Sequence, residues 1–468
     1  MNRNNIWIHI GIAVVVVTLA AVLGQVRRWE NSLDSSKTVT VKRSVLVTSR
    51  PSAGQPELLV RFKPGVTLDQ IRRLAAARND VLEDEIESVP GLASIDDIDN
   101  ADIDALVREY SSMSDLVEYA QPNYEIRLDP SIESEPQDLL QRELAGPNDP
   151  QFEQQWALNN VGQDGGKKRA DIDALKAWLK TRGSEKVVVA VLDTGVDYTH
   201  SDLVSNMWIR PDSVPEYADD ELGSFDDIHG FDADTNAADP MDDNGHGTHC
   251  AGIIGAEGDN GVGIAGINWN VKIMPLKFLG RGGFGTTKNA IEAINYAIDR
   301  KKHGVNIRVI NASWGSTQYS RALEDAIRAA GEEGILFVAA AGNNGTDNDK
   351  RAHYPSNYNL PNVISVAAVD RTDSLTSFSN FGAKTVHIAA PGRDILSTWL
   401  GDAFRDASGT SMAAPQVSGV AGLILASEPR ISVAKLRERL LGSVDKIPSL
   451  DGKVSSGGRL NAAKALGD

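Results

Sequence analysis

A single cysteine, Cys250, in 468 residues excludes an intramolecular disulfide, so stability outside the cytosol has to come from core packing or bound ions. Positive charge is also short. Lys and Arg number 47 against 64 Asp and Glu, and the net charge of −17 repels a phosphate backbone, which argues against nucleic acid as a partner. Internal repeats are missing, and 41% hydrophobic with 24% charged residues excludes a fibrous or globally disordered chain. One apolar run stands out at the N terminus, Ile6 to Gly24, interrupted by His9 and Thr18. Its length of about 19 residues, roughly 28 Å as a helix, suits a cleaved export signal and a retained membrane anchor equally. Val22-Leu-Gly24 is a tolerable cleavage site, while Arg27 and Arg28 disfavour translocation of that flank. Either way the expected location is extracytoplasmic, secreted or anchored by residues 6–24.

The length allows two to four domains. Residues 25–56 are polar and aperiodic, a linker. Residues 57–128 form a small α+β unit: Glu57 to Lys63 alternates like a strand, and Leu68 to Ala77 has helical spacing around Ile71, Leu74 and Ala75. Acidic residues dominate Val81 to Asp104, where Lys and Arg are absent, and read as a solvated face. Residues 129–147, with Pro130, Pro136 and Pro147 among polar residues, make an exposed, cleavable connector. From 148 to 468 strands alternate with helices. Val187 to Leu192, Ile273 to Leu279, Ile307 to Ile310, Ile335 to Ala341 and Val363 to Val369 are apolar in the manner of parallel strands buried on both faces. Helical faces appear at Ile291, Ile294 and Ile298, and at Leu323, Ala326, Ile327 and Ala330. The expected fold is α/β, a doubly wound and mostly parallel sheet whose ligands bind beyond the carboxyl ends of its strands.

Three motifs carry chemistry. Asp193-Thr-Gly195 follows an apolar strand directly, although alone it is weak, and the aspartic-protease reading fails for want of a second copy. Asn244-Gly-His246-Gly-Thr-His249 opens a segment of small residues that includes Cys250. A zinc site there would need a third ligand, whereas a general-base imidazole needs one nitrogen free and the other held by a carboxylate. Gly409-Thr-Ser411-Met-Ala-Ala-Pro415 starts a helix, with Ser411 where the dipole favours a developing oxyanion. Asn343 adds a side-chain amide just past the end of another strand.

Asp193, His246, Asn343 and Ser411 in that order, within VLDTGVD, NGHGTHCAG, AAAGNNG and GTSMAAP, resemble the subtilisin-like serine peptidases over roughly residues 148–466. The pattern is closest to the thermitase-like branch. The resemblance implies Ser411 as nucleophile, His246 as general base, Asp193 as its orienter and Asn343 as an oxyanion-hole donor. An α/β-hydrolase esterase fails on chain order and on Gly-x-Ser-x-Gly, and a calcium-binding interaction protein with a dead peptidase fold is opposed by the intact four-residue set. Gly283, Phe284 and Gly285 are similar to the edge that pairs with an extended substrate, and Ser313, Trp314 and Gly315 to the opposite wall. Trp314 and His353 are bulkier than is usual in the family and bear on the size of the primary pocket. Structural Ca2+ is implied at Asp149, Asp202 and the Asn260 to Gly266 loop, and at a second cluster, Asp232, Asp234, Asn236 and Asp239. Residues 57–128 resemble in layout the family's inhibitory propeptide, a small ferredoxin-like domain. The implied protein is an exported endopeptidase acting on polypeptides, inhibited by its own propeptide and monomeric after maturation.

Overall fold

The computed structural model describes residues 58–98, 101–129, 132–133, 146–219 and 223–467, all within one compact unit. The apolar segment 6–24, the linker 25–56 and most of the connector 129–147 lie outside the described residues. No helix among the described residues is long and apolar enough to cross a membrane.

The N-terminal part runs β1 (Leu58–Phe62), α1 (Leu68–Ala76), β2 (Asp80–Glu85), β3 (Leu92–Asp97), α2 (Ile103–Ser112) and β4 (Val117–Pro122). Its four strands pair antiparallel in the order β2-β3-β1-β4, a ferredoxin-like arrangement. Thr67 and Gln70 close a capping box on α1, and Asp102 caps α2. The sheet is buried on both faces. Leu58 and Val60 pack with Ile71, Ala75, Leu106 and Tyr110, whereas Leu59, Ile86 and Leu92 join the core of the larger part. The acidic run is correspondingly less solvated than its composition implies. Asp84 and Glu83 approach Lys288 at 3.3 Å, and Glu87 meets Asn295.

The larger part is built on β7 (Gly183–Asp193), β8 (Asn270–Lys277), β10 (Ile307–Ala312), β11 (Leu336–Ala340), β12 (Val363–Val369) and β13 (Ile388–Pro391), with short strands β5 (Glu125–Arg127), β6 (Ile132–Glu133) and β9 (Phe284–Thr286) at the cleft. Among the described residues its sheet has nine strands. The order is Phe231–Asp232, β8, β7, β10, β11, β12, β13, Gly458–Arg459 and Asp445–Lys446, parallel throughout except for the last pair. Helices α3 (His246–Gly255) and α6 (Thr410–Ser427) cover one face, and α4 (Thr287–Lys302) and α5 (Arg321–Glu332) the other. The apolar faces anticipated on α4 and α5 are buried, including Ile291, Ile294, Leu323 and Ile327. Residues pointing to alternate sides of β7 enter different cores, Val189 and Val191 with α3 and α6, Ala190 and Leu192 with α4 and α5. This two-sided burial explains the unbroken apolar run.

Candidate active site

Asp193 ends β7 and His246 begins α3, so a strand terminus and a helix terminus meet. Two glycines allow the approach. Gly245 takes φ +107° at the N-cap, and a Cβ on Gly247 would stand 2.0 Å from the Gly195 carbonyl oxygen. Asp242, which sequence reasoning passed over, fixes the turn: its carboxylate accepts hydrogen bonds from Asn244 N, Gly245 N, Thr248 N, Thr248 Oγ1 and Thr194 Oγ1. The available signal was its place just ahead of a helix start, where acidic residues cap free N–H groups.

His246 Nδ1 lies 2.7 Å from Asp193 Oδ1, both side chains being buried. Burial alone would lower the imidazole pKa, but the adjacent carboxylate more than offsets it and the net direction is upward. Among the described residues His246 Nε2 has no hydrogen-bond partner, which leaves it able to accept a proton.

Ser411 is the second residue of α6. Its hydroxyl donates to Ser313 O at 2.9 Å rather than to His246 Nε2, so the pair expected to exchange a proton is not hydrogen-bonded in this state. Pro415 sits inside the helix, beyond the first turn where its ring is most easily accommodated. Having no N–H, it leaves the Ser411 carbonyl without its helical donor, and Ser313 Oγ occupies that carbonyl at 2.9 Å. Asn343 Oδ1 is held by Thr410 N at 2.8 Å and Thr410 Oγ1 at 2.9 Å, which fixes the amide and leaves Nδ2 without a partner among the described residues. Thr410 is a positioning residue missed in the sequence.

His249 does not join this group. Its Nε2 faces the Arg405 carbonyl at 3.0 Å, and burial lowers its pKa to about 3. Cys250 lies near Asp193 and His246, but burial pushes its thiol pKa well up and Sγ faces the Ser411 carbonyl, so a thiolate zinc ligand is disfavoured.

The cleft is occupied by the chain itself. β5 pairs antiparallel with β9, Phe284 opposite Arg127, Gly285 opposite Ile126 and Thr286 opposite Glu125. Arg127 also bridges to Gly315, and Leu128 N donates to Gly283 O at 2.9 Å. Thus Gly283, Phe284, Gly285 and Gly315 hold an extended segment through its backbone. Beyond residues 130 and 131, β6 pairs with Ala407 and Ser408, the strand end that leads into Ser411. Trp314 differs from expectation: its indole is fully buried, donates to Leu192 O at 2.8 Å and packs on Phe278, sharing a small cavity with Ile126 and Tyr354. Its bulk therefore acts beneath Ile126.

Of the two proposed cation sets, one brings its residues together. Asp149 and Asp202 are buried beside Asn260, whose Nδ2 donates to Asp202 Oδ1 at 2.9 Å, while Ile264 N donates to Asp202 Oδ2 at 2.9 Å. Burial raises both pKa values, that of Asp202 to about 7, with the Asp149 charge adding to the Asp202 shift. The second set does not converge. Asp232 is used by the N–H groups of Asp234 and Thr235, Asp239 accepts from the Tyr198 hydroxyl and Met241 N, and Asn236 occupies a left-handed turn at φ +53°. Among the described residues Asp232, Asp234 and Asp239 do not come within 4.8 Å of one another as a trio.

The subtilase family profile matches residues 184–460, which take in Asp193, His246, Asn343 and Ser411. The chain belongs to the subtilase family. It is 35% identical to a thermophilic serine proteinase of Bacillus sp. (strain AK1), a match spanning 88% of this chain and 87% of the relative. Thermitase of Thermoactinomyces vulgaris is 37% identical over 68% of this chain and 99% of its own length. Among solved structures, fervidolysin from Fervidobacterium pennivorans superposes with a TM-score of 0.70 at 24% identity, covering 88% of this chain and 61% of that one, a likeness of fold. This subtilase is accordingly a serine peptidase, and a hydrolase.

Proposed function

We propose that this subtilase is an exported endopeptidase made as a precursor whose own residues 57–128 inhibit it until self-cleavage in 129–147. The observation that carries the proposal is the β5 segment, held by main-chain pairing across β9 and Gly315 and leading toward Ser411. Backbone pairing of this kind accepts any extended polypeptide, which is what an endopeptidase requires.

In the proposed reaction Ser411 Oγ leaves the Ser313 carbonyl, passes its proton to His246 Nε2 and bonds to the substrate carbonyl carbon. Asp193 stabilises the imidazolium through the 2.7 Å contact. The oxyanion is met by Asn343 Nδ2, which has no other partner among the described residues, and by the Ser411 backbone N–H at the start of α6. His246 then protonates the leaving amine as the C–N bond breaks, and water, deprotonated by the same imidazole, hydrolyses the Ser411 ester.

Asp149, Asp202 and Asn260 suit a calcium ion, since two buried carboxylates that resist ionisation side by side are relieved by a divalent charge. When bound, the ion would supply structural charge balance to these carboxylates. Treatment of the matured protein with a biotinylated fluorophosphonate tests the assignment. Modification mapped to the Ser411 peptide, and lost in His246→Ala, is expected; equal labelling of that variant would refute His246 as base.

A further inference from the structure

Resting on that peptidase function, we propose that His353 sets the primary specificity and selects a carboxylate, aspartate or glutamate, on the acyl side of the cleaved bond. The segment in the cleft carries such a side chain at that place. Leu128 pairs with Gly283, Arg127 with Gly315, and the next residue, Asp129, turns its carboxylate inward. Asp129 Oδ2 stands 3.4 Å from His353 Nε2, with side-chain exposures of 11% and 3%. Neither atom has a hydrogen-bond partner among the described residues, so each is the nearest recourse of the other.

The surroundings fix the imidazole at the floor of a slot. A Cβ on Gly315 would fall 2.0 Å from His353 Cε1, and one on Gly342 would fall 3.0 Å from Cδ2, so both walls need glycine to admit the ring. The same walls carry the reaction: residues 313–315 include the carbonyl that receives the Ser411 hydroxyl, and Gly342 precedes Asn343. A side chain in this slot therefore belongs to the residue whose carbonyl faces Ser411. The Asp129 charge also acts on His246, as a residue at that position should. β6 resumes beside Ser408 after two further residues, which brackets Ser411 between Asp129 and Ile132 along the chain.

The remaining ring nitrogen, Nδ1, faces Ser356 Oγ at 3.5 Å, leaving Nε2 as the group presented to the occupant. A leucine or phenylalanine there would bury that nitrogen unpaired, whereas a carboxylate satisfies it through a charge-assisted hydrogen bond. A site built around a buried polar group rejects analogues that cannot pair with it, here by roughly tenfold or more.

The test is kcat/KM of the matured full-length product on fluorogenic peptides that differ only at the acyl-side residue, as Asp, Glu, Asn, Leu or Phe. The wild type should favour Asp or Glu over Leu and Phe by about tenfold or more, and over Asn, which separates charge from shape. His353→Gly should invert the ratio of the Asp to the Leu peptide, and His353→Arg should keep it above one. Cleavage with preference for Leu or Phe in the wild type overturns the pocket assignment while leaving the peptidase function intact, and that readout does not depend on a variant folding. Failure to cleave any peptide, with no phosphonate label on Ser411, overturns both.

Discussion

Replacing Asp202 with Asn in a Ser411→Ala precursor, which cannot digest itself, separates the charge at the proposed calcium site from its packing. Burial raises the Asp202 pKa from its ordinary 3.8 to about 7. A carboxyl group whose folded pKa is raised stabilises the fold fully below the unfolded value, and that contribution is lost as pH rises through the folded one. Metal-free protein should thus weaken between about pH 4 and 8. At about 1.4 kcal/mol per pH unit the whole effect is about 4 kcal/mol, reduced to about 2 kcal/mol by solvent screening. Asn cannot ionise, so the variant lacks this slope, but it offers one oxygen where Asp202 accepts from both Asn260 Nδ2 and Ile264 N. The orphaned donor costs about 1–3 kcal/mol at every pH.

Urea unfolding followed by tryptophan fluorescence, in chelator at pH 5 and pH 8, should show the variant weaker than its parent at pH 5 and the gap narrowing or reversing at pH 8. Calcium at about 100 times its dissociation constant should add roughly 2.7 kcal/mol to the parent and much less to the variant. A gap that is the same at both pH values, together with equal calcium responses, would refute the reasoning.

Asn343→Ala should lower kcat by roughly 10²- to 10³-fold with KM little changed, because its Nδ2 acts on the transition-state oxygen; steady-state kinetics giving less than a threefold loss would mean another donor serves. The acid limb of kcat/KM should have its midpoint above the ordinary 6.5, since Asp193 holds the proton on His246 and the protonated ring cannot accept another; a midpoint below 6 would contradict this. Asp325→Ala removes partners of Arg61 at 2.6 Å and Tyr119 at 2.9 Å, and should speed release of the cleaved N-terminal part by roughly tenfold, measured by size exclusion over time.

Much of this was legible where local pattern and global burial agree. The apolar runs Val187 to Leu192 and Ile335 to Ala341 are buried on both faces and form parallel strands, and the small residues that follow His246 form a closely packed helix. Sequence failed where a second surface intervened. Leu59 reads as the polar-side position of an alternating strand, yet it is buried because the larger part covers that face. Lys288, far away in sequence, turns part of the acidic run into an interface. Asp232 and Asp239 had the right atoms for a cation but lie on separate turns that do not bring them together, a placement made by backbone conformation and invisible in composition. The partnership of Asp129 with His353 likewise depends on how far the β5 segment extends into the cleft.

The most direct test of the central claim compares purified wild-type precursor with Ser411→Ala, each incubated alone and followed by intact mass and N-terminal sequencing. Wild type should acquire a new N terminus between Pro130 and Asn148, while Ser411→Ala should keep residues 57–128 attached throughout. Processing of both at the same rate, with no other protease present, would show that Ser411 is not the nucleophile for this step.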